Sequence, residues 1–283
     1  MRAAVLGSPI GHSLSPALHT AAYRELGLTG WSYQAIECDE AGLPDFLATL
    51  GPQWAGLSLT MPLKQAALPL LDRADPLVSQ VGAANTIVLA DGVRSGYNTD
   101  VTGMVTALAQ AEVRVVGDQT LVLGGGATAR SALAALQRSG AAAVTVAVRA
   151  PATAQRLVEL AGLLGLRLRL VPFGPGQDQR DWLAEHGNGP WQLVLSTVPG
   201  DAADSYAQLL SAGLLAAEAV FDVVYHPWPT RLAAAAGAAG VRVISGFELL
   251  LHQAAEQVRL MTGRPAPVEA MRAAGLAELA GRS

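Results

Sequence analysis

The residue pair most able to move a proton in this sequence is Lys64 with Asp100. Lys64 is the only lysine of the chain, and every other basic side chain except histidine is arginine. A lysine ammonium can release and recover a proton near neutral pH, whereas a guanidinium stays charged. Asp100 opens a predicted helix and pairs with this ammonium in our interpretation. The alternatives are a solvated lysine and an aspartate that only caps its helix.

Two further clusters place polar side chains on turns next to predicted helices or strands. Residues 7–16 read Gly-Ser-Pro-Ile-Gly-His-Ser-Leu-Ser-Pro, which sets Ser13 and Ser15 beside a helix N-terminus. Hydroxyls there can donate to a carboxylate without a cation, although capping alone would also explain them. Residues 82–86 place Asn85 at the start of a strand. These clusters favour a small polar substrate.

A glycine-rich turn follows the predicted strand Leu121–Leu123. It reads Gly-Gly-Gly-Ala-Thr-Ala-Arg over residues 124–130 and enters a predicted helix that runs through Ser139. In this context G-x-G-x-x-A indicates a dinucleotide site, with Gly124 for the tight turn and Gly126 for close approach of the pyrophosphate. The alternative is a tight strand-to-helix turn without a ligand.

The end of the next strand selects the dinucleotide. A carboxylate there would bind a ribose 2′-hydroxyl, but the segment reads Ala147-Val148-Arg149-Ala150. Arg149 is placed to bind a 2′-phosphate, with Arg156 in support, which favours NADP over NAD. The alternative is that Arg149 is a solvated surface residue.

Strand and helix patterns predict an α/β fold of two parts. The first part alternates short strands and helices, with a hairpin at Asp91-Gly92, a helix from Pro62 to about Leu71 and Ser15 as N-cap before Pro16. After about residue 115 come six apolar runs, which predict a Rossmann-type, doubly wound parallel sheet. They are Leu121–Leu123, Val144–Val148, Leu168–Val171, Leu193–Ser196, Val220–Val224 and Val241–Ile244. Two final helices, Phe247–Thr262 and Val268–Leu279, have no strand partners of their own.

Composition excludes several classes of function. The net charge is -4 without a basic stripe, which argues against nucleic acid, and no apolar run is long enough for a transmembrane helix. No signal peptide is expected, and the single cysteine, Cys38, excludes an internal disulfide, so we expect a cytoplasmic protein. No His, Cys or carboxylate set has metal-ligand spacing, and His12 and His19 have no partner fixed by spacing.

Taken together, these segments resemble the shikimate dehydrogenase family over nearly the whole chain. Residues 7–16 match its G-S/N-P-I-x-H-S-x-S-P pattern, and residues 59–64 match V-T-x-P-x-K with Leu59 in place of Val. Residues 82–86 match G-A-x-N-T, residues 98–103 match N-T-D-x-x-G, and residues 246–253 match G-x-x-x-L-x-x-Q. Five motifs in one order are a specific resemblance.

The resemblance implies reversible reduction of 3-dehydroshikimate to shikimate with NADPH, a step of the chorismate pathway of aromatic amino acid biosynthesis. Lys64 and Asp100 would be the catalytic pair. Implied substrate-binding residues are Ser13, Ser15, Thr60, Asn85, Tyr225 and Gln253. Implied cofactor-binding residues are Gly124, Gly125, Gly126, Ala127, Thr128, Arg149, Thr197, Val223 and Gly246. The change of pattern marks a domain break near residue 105, and the resemblance implies that the final helices return to the first domain. We therefore expect a shikimate-binding domain of residues 1–105 and 246–283 and a dinucleotide-binding domain of residues 106–245. We expect a monomer or homodimer.

Departures from the family pattern leave alternatives open. Many members carry Asn where Ser58 stands, and N-R-T where this chain has Val148-Arg149-Ala150. Because only the Arg of N-R-T is present, a 2′-phosphate would lose side-chain hydrogen bonds, and this weakens the case for strict NADP use. The alternatives are an enzyme acting mainly on quinate or with NAD, and a ligand sensor without catalysis. A sensor would be expected to lack Lys64 or Asp100, and both are present.

Overall fold

The computed structural model describes residues 1–150, 154–173 and 190–282. The chain divides into two compact units, Met1–Gly103 with Leu250–Ser283, and Met104–Leu249. Each unit is built around one six-stranded sheet with helices, so the predicted α/β class is confirmed. The functions given to the predicted domains 1–105 with 246–283 and 106–245 stay predictions.

The first unit contains a mixed sheet in the order β2-β1-β3-β5-β6-β4. Its strands are β1 Arg2–Gly7, β2 Ser32–Glu37, β3 Trp54–Leu59, β4 Arg73–Ala74, β5 Thr86–Ala90 and β6 Val93–Tyr97. Strands β2, β1 and β3 are parallel, and β5 runs antiparallel to β3 and β6. The predicted hairpin is confirmed, since Asp91 and Gly92 have φ values of 51° and 75° between β5 and β6.

Helices or parts of helices also belong to the first unit. They are α1 Ser15–Glu25, α2 Leu43–Ala48, α3 Leu63–Ala66, α4 Pro76–Val81, the start of α5 Thr99–Gln110, most of α10 Gly246–Thr262 and α11 Val268–Ala280. Strand β3 is buried at all six positions, and its Leu57 and Leu59 pack in one cluster with Leu6 of β1. Burial at every position is typical of a central strand that is covered on both faces.

Two local predictions in the first unit were wrong, and two short elements were missed. Ser15 is the first residue of α1 rather than its N-cap, which is Leu14, because the preceding turn already adopts helical dihedrals there. The helix predicted from Pro62 to Leu71 is only α3 followed by a 3₁₀ turn at Leu68–Leu70, since Pro69 has no N–H to continue an α-helix. Strand β4 and helix α4 were not predicted.

The second unit contains an all-parallel sheet in the order β9-β8-β7-β10-β11-β12. Its strands are β7 Thr120–Leu123, β8 Ala143–Val148, β9 Arg167–Pro172, β10 Trp191–Ser196, β11 Ala217–Asp222 and β12 Arg242–Ser245. This is the order of a doubly wound sheet, in which the chain switches direction between β7 and β10. The six predicted strands and the parallel arrangement are confirmed, although β11 ends at Asp222 rather than Val224.

Helices of the second unit connect these strands in the described ranges. They are α6 Ala127–Arg138, α7 Gln155–Leu164, α8 Asp204–Ser211 and α9 Arg231–Ala238, with the last part of α5 and the first residues of α10. Strands such as β8 are buried at every position. Helix coverage explains the unbroken apolar runs in the sequence.

A buried histidine packs between α1 and the sheet of the first unit. The His19 ring stacks on Tyr33 with 3.9 Å between ring centroids, and its Nε2 lies 3.3 Å from Oε1 of Gln257. Burial lowers the pKa of His19 from 6.5 to about 3, although the Gln257 contact opposes this shift. The folded protein therefore holds His19 in its neutral form.

This burial predicts a loss of stability in mild acid. Because the unfolded chain binds a proton at His19 below pH 6.5 and the folded chain does not until about pH 3, stability should fall as pH falls through this window. From pH 7 to pH 5 the contribution of one such group is about 2 kcal/mol. Urea unfolding at both pH values should show this loss for the parent chain and less of it for His19→Gln. Parallel pH dependences of the two proteins would contradict the expectation.

Candidate active site

Lys64 and Asp100 form a closely spaced ion pair in the first unit. Helix α3 follows β3 after a three-residue turn and presents Lys64, and Asp100 is the second residue of α5. The Lys64 Nζ lies 2.5 Å from Oδ2 of Asp100, and the two side chains are 17% and 7% exposed. A charge-assisted hydrogen bond of this length in a partly desolvated setting holds the ammonium at one defined place. The predicted pairing of these residues is present, and their catalytic role stays a prediction.

Asn85 fixes the other oxygen of the Asp100 carboxylate. Its Nδ2 donates to Oδ1 of Asp100 at 2.8 Å, and its Oδ1 accepts from the backbone N–H of Thr99 at 2.7 Å. The side chain of Asn85 is 2% exposed and lies directly before β5. One amide therefore attaches the first turn of α5 to the sheet and orients the carboxylate that holds Lys64.

Gln253 reaches the same cluster from α10. Its Oε1 lies 3.4 Å from Nδ2 of Asn85 and 3.4 Å from Oγ1 of Thr99, and its Nε2 donates to the carbonyl of Leu250. The structure thus brings four predicted site residues together, namely Lys64, Asn85, Asp100 and Gln253. Amide and charged groups in this cluster can bind hydroxyl groups of a ligand as donors and acceptors.

The serine-rich turn before α1 lies beside the end of β3. Ser13 Oγ accepts the backbone N–H of Ser15 at 3.3 Å, and Ser15 is 4% exposed at the start of α1. Thr60 donates its backbone N–H to the carbonyl of Leu6, and a Cβ on Gly7 would lie 2.4 Å from Cγ2 of Thr60. The two turns approach so closely that no side chain fits at position 7, and Thr60 lies next to Gly7, the first residue of the serine-rich segment 7–16.

The glycine-rich turn of the second unit joins β7 to α6. Gly124 has φ +108°, and a Cβ there would lie 2.6 Å from Oγ1 of Thr197, which donates to the carbonyl of Leu123. Gly126 is the N-cap of α6 without a side-chain cap, and Gly125 and Gly126 are exposed. The first turn of α6 therefore presents backbone N–H groups and open space, which suits a pyrophosphate.

Three arginines lie near the carboxyl edge of the second sheet, one directly after β8 and the others in the first turns of α6 and α7. Arg149 is exposed directly after β8, and Arg156 is the second residue of α7. Arg130, in the first turn of α6, is 5% exposed, and burial together with the nearby charge of Arg156 lowers its pKa. Cations at this corner of the sheet are suited to bind a phosphate.

Val223 and Gly246 meet at the carboxyl ends of β11 and β12. A Cβ on Gly246 would lie 2.0 Å from the carbonyl oxygen of Val223, and the backbone N–H of Gly246 donates to the carbonyl of Val224. Only glycine fits this approach. The predicted cofactor residues of the second unit thus all lie at the carboxyl edge of its sheet, where doubly wound folds bind ligands.

Some predicted residues are not part of the cluster in the first unit. Tyr225 follows β11 in the second unit and is half-buried, so its predicted contact with substrate stays a prediction.

Within the described residues no group of three or more His, Cys, Asp or Glu side chains is placed to hold a metal ion. In the same residues no helix combines the length and apolar content needed to cross a membrane.

Three residues behind the cluster were not predicted from the sequence. Hydrogen bonds to Asn85 come from Thr99, Thr86 and Gln257. The residue types of all three, and the sequence positions of the two threonines, give no sign that they contact Asn85. Gln257 is the exception, since it lies four residues after Gln253 and therefore on the same face of α10.

Family models match both ends of the chain. The model described as the shikimate dehydrogenase substrate binding domain matches residues 5–87, and the one described as the shikimate 5′-dehydrogenase C-terminal domain matches residues 246–274. A curated relative from Citrifermentans bemidjiense, named shikimate dehydrogenase (NADP(+)), is 38% identical over 98% of this chain and 95% of its own length.

Solved structures agree in fold over nearly the whole length. The shikimate dehydrogenase of Mycobacterium tuberculosis has a TM-score of 0.86 at 44% identity, covering 96% of this chain and 99% of that protein. A shikimate 5-dehydrogenase from Thermus thermophilus, in complex with NADP(H) and shikimate, has a TM-score of 0.80 at 33% identity and covers 99% and 100% of the two chains.

The close approach at Gly246 predicts a strong effect of one methyl group. Gly246→Ala should destabilise the protein by about 1–3 kcal/mol or more, because the added Cβ meets backbone atoms of Val223 that cannot turn away. Gly237→Ala on α9 is the matched control, since its Cβ meets nothing within 4 Å and alanine favours a helix. Denaturant unfolding measures both, and a Gly246→Ala protein as stable as Gly237→Ala would contradict the close approach.

Proposed function

The chain belongs to the shikimate dehydrogenase family, and from this premise we propose that it is an enzyme that interconverts 3-dehydroshikimate and shikimate with NADP as its dinucleotide. The observation that carries the proposal is the 2.5 Å hydrogen bond between Lys64, the single lysine, and the buried Asp100 in the first unit. The substrate binding domain model matches residues of this unit. Relatives named for NADP(+), and a related structure that holds both NADP(H) and shikimate, support the choice of substrate and dinucleotide.

Lys64 supplies the proton in the direction of reduction. When bound, NADPH provides the hydride that adds to the ketone carbon. Lys64 Nζ gives its proton to the ketone oxygen, so that the C–O group becomes a hydroxyl and the ammonium becomes an amine. In the reverse direction the amine takes this proton back. Asp100 holds the lysine in place and accepts a hydrogen bond from a substrate hydroxyl, which orients the reacting carbon.

The polar cluster of the first unit binds the rest of the substrate. Ser13 and Ser15 donate to its carboxylate at the N-terminus of α1, where the helix dipole adds positive potential. Asn85 and Gln253 contact the ring hydroxyls through their amides, together with Thr60 at the end of β3. Tyr225 completes the set in this proposal. Uncharged donors suit a ligand that carries one carboxylate and several hydroxyls.

Residues of the second unit fit a dinucleotide phosphate. The N-terminus of α6 is exposed and lacks a side-chain cap, and no side chain stands at Gly124, Gly125 or Gly126, so Ala127 and Thr128 can present N–H groups to the pyrophosphate. Arg149 binds the 2′-phosphate, and Thr197 borders the glycine turn. The backbone at Val223 and Gly246 receives the nicotinamide. NADP is therefore the dinucleotide that these residues suit.

Several related expectations accompany this function. Use of NAD in place of NADP remains an alternative, because Arg149 lacks the neighbouring polar side chains of the N-R-T pattern, and quinate remains the alternative substrate. A monomer or homodimer, a cytoplasmic location and the lack of nucleic acid partners stay predictions.

A comparison of four rates tests the proposed activity. Initial rates of oxidation of shikimate and quinate, each with NADP⁺ and with NAD⁺, should be highest for shikimate with NADP⁺. The 2′-phosphate can form a charged hydrogen bond with Arg149, and no carboxylate stands beside it to favour a free 2′-hydroxyl. A higher rate with quinate or NAD⁺ would replace the proposal by that alternative, and no turnover of either substrate would refute it.

Substitution of the lysine tests the proton transfer. Lys64→Ala should lower the turnover number by about 10²–10⁴-fold, the loss expected for a positioned acid or base, and should affect shikimate binding much less. Lys64→Arg should also be slow, because a guanidinium keeps the ion pair but does not release its proton near neutral pH. Arg94→Ala removes an exposed ion pair with Asp72 in the same unit and should leave turnover unchanged. Steady-state kinetics and calorimetry of shikimate binding measure these effects, and an unaltered turnover number in Lys64→Ala would remove this residue from the mechanism.

A further inference from the structure

We propose that Gln257 is a positioning residue, and that it joins a chain of buried hydrogen bonds which orients the Asp100 carboxylate toward Lys64. The role of Gln257 in catalysis rests on the proposed function, although the chain of hydrogen bonds can be tested without measuring turnover. We call these side chains, Tyr33, Ser58, Gln257, Thr86 and Asn85, the donor chain.

The first half of the donor chain runs from β2 through β3 to α10. The Tyr33 hydroxyl donates to Oγ of Ser58 at 2.6 Å, and the Ser58 hydroxyl donates to Oε1 of Gln257 at 2.8 Å. Burial raises the pKa of Tyr33, against the opposing effect of the Ser58 and Ser15 hydroxyls beside it. The phenol therefore stays protonated and available as a donor, and it lies next to a serine proposed to bind the substrate carboxylate.

The second half runs from α10 through β5 to the catalytic pair. Gln257 Nε2 donates to Oγ1 of Thr86 at 3.0 Å, and Thr86 donates to Oδ1 of Asn85 at 2.9 Å. Asn85 Nδ2 then donates to Oδ1 of Asp100 at 2.8 Å, and Lys64 donates to the other carboxylate oxygen at 2.5 Å. From Ser58 onward, each side chain of the donor chain accepts a hydrogen bond on one side and donates one on the other.

All bonds of the donor chain point in the same direction, toward the Asp100 carboxylate. Hydrogen bonds arranged head to tail polarise one another, and the effect is larger where the local dielectric is low. At position 257 the side chain must accept from Ser58 and donate to Thr86, a combination that an amide provides and that a carboxylate or an alkyl group does not. Gln257 thus adds, through Thr86, to the orientation of the Asn85 amide, whose oxygen also accepts the backbone N–H of Thr99.

Burial makes this arrangement sensitive to substitution. Gln257 is 1% exposed and Thr86 0% exposed, so water has little access to replace a missing partner. Loss of the Gln257 amide leaves Thr86 without its donor, and the Thr86 hydroxyl can then turn away from Asn85. A rotated Asn85 amide would present its oxygen rather than its N–H groups to Asp100, which would repel the carboxylate and move Lys64.

Kinetics of matched variants test the positioning role. Gln257→Leu removes the amide, Thr86→Val removes the hydroxyl at nearly constant shape, and Thr86→Ser keeps the hydroxyl. Val258→Ala, in a buried apolar position next along α10, is the control for destabilisation without loss of polar contacts. We expect kcat for shikimate oxidation to fall about 10- to 100-fold in Gln257→Leu and Thr86→Val, with a smaller change in KM. Thr86→Ser should retain most of the turnover.

A spectroscopic measurement tests the chain without relying on activity. In the substrate-free protein the ¹H and ¹⁵N resonances of the Asn85 side-chain amide report its hydrogen bond to Asp100. They should shift in Gln257→Leu and Thr86→Val and stay near their parent positions in Thr86→Ser and Val258→Ala. Thermal unfolding identifies any variant that does not fold. If Gln257→Leu does not fold, the comparison of Thr86→Val with Thr86→Ser decides the result.

The outcomes separate this inference from the proposed function. A parent protein that does not oxidise shikimate would refute the proposed function, while the Asn85 resonances would still decide whether the donor chain orients this amide. Turnover retained in both Gln257→Leu and Thr86→Val, or lost equally in Val258→Ala at the same stability, would overturn the positioning role. Unchanged Asn85 resonances in Gln257→Leu and Thr86→Val would overturn the donor chain itself.

Discussion

The carboxylate of Asp100 is the group around which the first unit is arranged. A carboxylate that is 7% exposed must have charged or hydrogen-bonding partners, because an isolated buried charge is strongly destabilising. Lys64 satisfies one oxygen and Asn85 the other. The carboxylate stands at the start of α5, and its partners come from α3 and from the residue directly before β5, so three separate segments must pack together to form the ion pair.

The second constraint is the close approach of backbone turns at the carboxyl edges of the two sheets. In each unit some of the residues proposed for ligands follow the carboxyl ends of parallel strands, as Thr60 follows β3 and Thr197 follows β10. At these ends the chain turns sharply, and glycine allows the turns to approach closely. Gly7 beside Thr60 and Gly246 beside Val223 are the clearest cases, since a single Cβ would collide in both.

Elements with strong local signals were predicted well, and elements that depend on contacts were not. The hairpin at Asp91 and Gly92 and the strands of the parallel sheet follow from backbone preference and from burial on both faces. The long helix predicted after Pro62 is interrupted because Pro69 cannot donate a hydrogen bond. Strand β4 has only two residues and pairs with β6, so its identity comes from the neighbour and not from its own sequence.

The sequence by itself determined the family, the glycine turn and the candidate Lys64 and Asp100, because each depends on residue type within a short motif. Tertiary structure alone decided how these groups are held. Ser58, Thr86 and Gln257 are far apart in the chain, and their hydrogen bonds form only where β3, β5 and α10 pack together. A hydroxyl or amide in a sequence carries no mark of its partner, since the direction of a hydrogen bond is set by which groups burial brings within reach.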